Sequence, residues 1–94
     1  MKFAFIIMNN FNSKEDRAYI HGGAAQIIGV KDIEDAIAVA RELQADGISC
    51  IELCGAFGAK GAKRVIDATD NKIAIGYMTH LPEQDHIFNA LFGK

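Results

Sequence analysis

Residues 47–58, Gly-Ile-Ser-Cys-Ile-Glu-Leu-Cys-Gly-Ala-Phe-Gly, constrain the fold more than any other stretch of the chain. An apolar run with glycine before it and a glycine-rich turn behind it reads as a buried strand that leads directly into a helix. Parallel α/β sheets are built from such units, and they bind ligands beyond the carboxyl ends of their strands. This strand carries a carboxylate in its middle, Glu52, and a thiol at its end, Cys54. A place for a site follows from that, although a substrate does not.

The remaining elements fall around this strand. Residues 2–8 are a near-continuous apolar run, the pattern of a strand covered on both faces. Ser13 is placed to cap a short helix over residues 14–20, with Glu15 and Asp16 near its positive end and His21-Gly22-Gly23 ending it. A second strand is expected over residues 25–30. Asp32 then opens a helix in which Ile33, Ala36, Ile37, Ala40 and Leu43 share one face, and Gly47 stops it. The central strand covers residues 48–54, and a helix runs on through Thr69. Asp70-Asn71 is a turn, residues 73–79 are the last strand, and Leu81-Pro82-Glu83 starts a final helix with Ile87, Phe88, Leu91 and Phe92 as its apolar stripe. Alternating strands and helices predict one α/β domain over residues 1–94. Its sheet is expected to be small, four-stranded and mostly parallel, in the order 2-1-3-4, with helices on both faces, like a cut-down flavodoxin-type domain. The alternative is an α+β sheet whose short second strand runs antiparallel.

Composition narrows the partners. The chain has 94 residues, half of them hydrophobic, and a net charge of −2. Domains this small bury only about 60–65% of the surface of their unfolded chain. So much apolar side chain in so small a domain points to a homo-oligomer. The absence of a basic patch argues against a nucleic-acid partner, and no apolar run approaches the roughly 20 residues of a spanning helix. The apolar start is too short for a signal peptide, so the expected location is the cytoplasm. Cys50 and Cys54, four residues apart on one strand, have α-carbons about 13 Å apart, too far for a disulfide or a shared zinc. Free thiols suit a reducing compartment.

Residues 1–8, 21–30, 50–58 and 75–85 together resemble a family of short bacterial and archaeal proteins described only as a domain of unknown function. That resemblance implies a family label and lends no catalytic residue. Locally, residues 40–53 are similar to a helix–strand repeat of class I aldolases acting on keto-deoxy sugar acids, where the strand Glu helps to move protons. The position here is Glu52. No strand offers the Schiff-base Lys of those enzymes, and a full barrel needs about 250 residues.

Each candidate residue has a functional and a structural reading. Glu52 between apolar neighbours is either a general acid or base, or a structural carboxylate bonded to an amide or a cation. His80, at the end of the last strand, is either its acid–base partner or a cap on the sheet edge. Cys54 is either a thiolate stabilised by the following helix or a small buried hydrophobe. Gly55, Gly58 and Lys60 would hold an anionic group at the start of that helix, or else the glycines only make a tight turn. Asn9, Asn10 and His21 would line the ligand, or else simply make loops. The spacing of His21, Glu52, Cys54 and His80 matches no compact metal motif, so no metal is assigned, and the sequence leaves any cofactor open. The chain therefore reads first as a binder of a small, anionic metabolite at the carboxyl ends of its strands, with Glu52 and His80 as acid and base. The alternative is a non-catalytic module for oligomerisation or protein interaction.

Overall fold

The computed structural model describes residues 1–93. The apolar run forms the first strand, β1 (Phe3–Met8). The chain then turns at Asn12. Its Oδ1 accepts from the backbone N–H groups of Lys14 (2.9 Å) and Glu15 (3.3 Å), while Asp16 Oδ2 accepts from the Asn12 N–H (2.7 Å). These bonds cap a single turn, and from Asp16 onward the backbone is taken by the neighbouring strand instead, the Asp16 carbonyl accepting from the Gly29 N–H at 2.7 Å. The helix expected over residues 14–20 is therefore a turn followed by an edge strand, β2 (Arg17–Ile20). His21 (φ 49°), Gly22 (φ 64°) and Gly23 (φ 94°) form a left-handed reversal, which two glycines make inexpensive. The next strand, β3 (Ala25–Val30), pairs antiparallel with β2.

From there the expected order holds. Asp32 caps α1 (Ile33–Ala45) by accepting from the Asp35 N–H at 2.8 Å. The central strand is β4 (Cys50–Leu53), followed by a 3-10 turn at Gly55–Phe57 and by α2 (Gly58–Ala68). The last strand is β5 (Ala74–Tyr77). A 3-10 turn at Pro82–Gln84 leads into α3 (Asp85–Phe92).

The sheet has five strands in the order β2-β3-β1-β4-β5, parallel except for the β2–β3 pair. The four expected strands keep their relative order, and β2 is added outside them. One antiparallel member exists, as the alternative architecture allows, but it is β2; residues 25–30 run parallel to β1.

Helices cover only one face, not both. Ile6, Ile28, Ile51 and Leu53 on the sheet meet Val39, Ala40 and Leu43 of α1 and Val65 of α2 in a single core cluster. The links β3–α1–β4 and β4–α2–β5 advance in the same direction across the sheet, and right-handed crossovers then put both helices on the same side. The β1-to-β3 link advances the other way. A helix there would cover the second face, but that link carries β2 instead. The final helix does not take its place: α3 has no buried residue and packs chiefly on the turn before it. No helix among the described residues is long and apolar enough to cross a membrane.

Candidate functional site

Strand register fixes what the uncovered face displays. One row crosses all five strands: Gly76, Glu52, Phe5, Ile27 and Ala18. The row before it contains Ala74, Cys50, Phe3, Ala25 and Ile20. Phe5 is 37% exposed, Ile27 41% and Ile20 67%, so a largely apolar face meets solvent. Phe3 and Phe5 pack edge to face, with ring centroids 6.2 Å apart. At the far end Phe11 folds back over Gly29, where an added Cβ would lie 2.7 Å from its ring. A shallow groove of about 370 Å³ remains between Ile7, Phe11, Arg17, Ala18 and Ile27.

Glu52 is the one acid in that central row. It is half-buried, and its carboxylate lies across Gly76, where a Cβ would meet Oε1. None of the ion pairs among the described residues involves it. The glycine therefore makes room for the carboxylate, and the apolar neighbours leave it without a counter-charge.

The other candidates do not gather around it. His80 Nε2 lies 2.7 Å from Asp85 Oδ1, and its ring stacks on Phe88 with centroids 3.8 Å apart and planes within 8°. These contacts tie His80 to α3, and no hydrogen bond or ion pair joins it to Glu52. Cys54 packs against the helix-side core, where its Sγ accepts from the Met8 N–H at 3.3 Å. Both cysteines are free. Asn9 donates its N–H to the Val30 carbonyl (3.0 Å) and accepts from the Asn10 N–H through Oδ1 (2.8 Å), so the pair shapes the turn after β1. Gly55 sits in the 3-10 turn, with the Met78 carbonyl oxygen facing it. Gly58 opens α2, and Lys60 on its first turn is exposed. His21 lies at the opposite end of the sheet, in the β2–β3 reversal. A second hollow, of about 540 Å³, is also at that end, between Lys2, Tyr19, Gln26, Asp46 and Ile48. Neither hollow is lined by Glu52, Cys54 or His80. No cluster of three or more His, Cys, Asp or Glu able to hold a metal occurs among the described residues.

The edge of the open face is anchored electrostatically. Burial lowers the pKa of Arg17, but its hydrogen bond to the Glu42 carboxylate and that group's negative charge act the other way, and the net shift is upward. Its Nη1 reaches Glu42 Oε1 of α1 at 3.2 Å, which pins β2 to the helix layer. Sequence reasoning overlooks Phe5, Ile27, Ile20 and Phe11 as surface groups. The signal that could find them is the uninterrupted apolar run of β1, which asks for a cover on both faces.

Residues 1–93 match a family of unknown function (DUF6506), and the chain belongs to that family. Neither the curated proteins nor the solved structures give a match. The local likeness to class I aldolases receives no support from these comparisons.

Proposed function

We propose that this chain is a self-associating α/β module and that the uncovered sheet face is its assembly surface. One observation carries the reading: β1 and β3 turn Phe3, Phe5, Ile7 and Ile27 away from the helix layer, and no helix among the described residues covers them. Contiguous exposed apolar patches of this kind mark contact surfaces in soluble proteins. Light scattering on the full chain is expected to give a particle near twice 10.2 kDa. Replacing Phe5 with Glu should return it to a single chain with unchanged circular dichroism. A wild-type particle that stays at one chain mass over the accessible concentration range would end this reading.

A second reading concerns Glu52. A half-buried carboxylate with no ion-pair partner, set over a glycine in an apolar row, suits recognition of a small molecule that brings a hydrogen-bond donor or a positive charge. This moves the ligand from the strand ends to the sheet face and gives Glu52 a binding role. An acid–base partnership with His80 would require His80 to leave Asp85 and Phe88. Thermal unfolding against a panel of small metabolites tests it. A stabilising compound should lose its effect in Glu52→Gln, and an equal response in that variant would remove Glu52 from the site.

A further inference from the structure

We infer that the open face of one copy is covered by α3 of a second copy, and that the exchange is reciprocal. This rests on the self-association proposed above and names its contact.

The chain's area is large enough to leave an interface of ordinary size uncovered. Its accessible surface is 6150 Å². A compact monomer of this mass exposes about 5300 Å². The excess, about 800 Å², is the share each partner gives to a standard interface. The open face and α3 carry many of the exposed large apolar side chains. On the helix, Ile87 is 49% exposed, Leu91 73% and Phe92 65%.

The two surfaces match in chemistry and in size. Both are aliphatic and aromatic. The eight residues of α3 span about 12 Å at 1.5 Å per residue. The apolar part of the central row, Phe5–Ile27–Ala18, crosses three adjacent strands. At roughly 4.8 Å between strands that is about 10 Å.

The chain also holds its own helix off its own face. His80 stacks on Phe88 and bonds Asp85, and Phe92 lies against Phe88 at 5.9 Å. This staple fixes the start of α3 to the segment leaving β5, and Ile87 and Leu91 remain free for another surface. A helix that one copy presents and a face that it lacks a cover for make a closed two-fold pair, each copy giving what it receives.

Two full-length variants test the exchange by light scattering, Phe5→Glu on the face and Leu91→Glu on the helix. Each alone should halve the wild-type mass. Mixed, they should associate again, because one pairing in the mixed dimer joins an unaltered helix to an unaltered face. Circular dichroism checks the fold, and Ile27→Gln replaces Phe5→Glu if that variant unfolds. Leu91→Glu keeping the wild-type mass overturns the exchange, while self-association through facing sheets survives. Two single-chain variants that stay apart when mixed also overturn it. A wild type that is itself a single chain removes the exchange and the self-association together.

Discussion

Leu53, Ile6 and Ile28 form one row across β4, β1 and β3, and Glu52, Phe5 and Ile27 form the next, pointing the other way. The first three are 0% exposed under α1 and α2, whereas Phe5 and Ile27 are 37% and 41% exposed. Composition does not explain the contrast, since both rows are mainly apolar. Connection geometry does. Two crossovers advancing in one direction deliver two helices to one side, and the single link advancing the other way spends its residues on β2. The covered row is a folding core; the open row is a surface that the chain's own helices leave uncovered.

The largest test of this contrast is Leu53→Ala. It empties a fully buried site between β4 and the helix layer, and should cost about 2–5 kcal/mol in urea unfolding. A much smaller loss would mean that the covered side is not the core. Next comes the border of the open face. Gly29→Ala places a methyl 2.7 Å from the Phe11 ring and should cost about 1–3 kcal/mol. In a Phe11→Ala background most of that cost should vanish, which a double-mutant cycle reads directly. Asp32→Ala removes the cap of the helix that covers the core, and should lower stability by about 1 kcal/mol at unchanged oligomeric mass. The smallest effect belongs to the open side. Ile20→Gln, at a site 67% exposed, should shift unfolding of dilute protein by about 0.5 kcal/mol or less while weakening association. If Ile20→Gln and Leu53→Ala cost the same, the distinction between the faces is lost.

Much of this architecture is legible in the sequence, for identifiable reasons. The apolar spacing of Ile33, Ala36, Ala40 and Leu43 gives α1, and Gly47 and the Gly55–Gly58 turn bracket the central strand. Residues 14–20 are misread because Ser13, Glu15 and Asp16 imitate a helix start. What decides the matter is the pairing of Arg17–Ile20 with β3, which takes the backbone groups a helix would use. That one misreading hides the open face, because the missing helix was its cover. The site is legible only in part. Glu52 stands out in the sequence as a carboxylate on the central strand and is half-buried there, and its seat over Gly76 depends on a register that the sequence does not print. Cys54 follows it by two residues and His80 comes after the neighbouring strand, yet Cys54 packs into the helix-side core, and His80 lies past the strand end, tied to α3. The double cover expected for β1 is met on one face only, and in the account proposed above the second cover comes from another copy of the chain.

The most direct measurement is a dilution series on the full chain with isoleucine methyl groups labelled for NMR. On the covered side the probes are Ile6, Ile28 and Ile51; on the open side Ile7, Ile20 and Ile27; on the helix Ile87. The account predicts that the open-side methyls and Ile87 shift together on dilution, with one midpoint, while the covered-side methyls hold their positions. Open-side methyls that stay still at every concentration, or a covered side that moves with them, would contradict it.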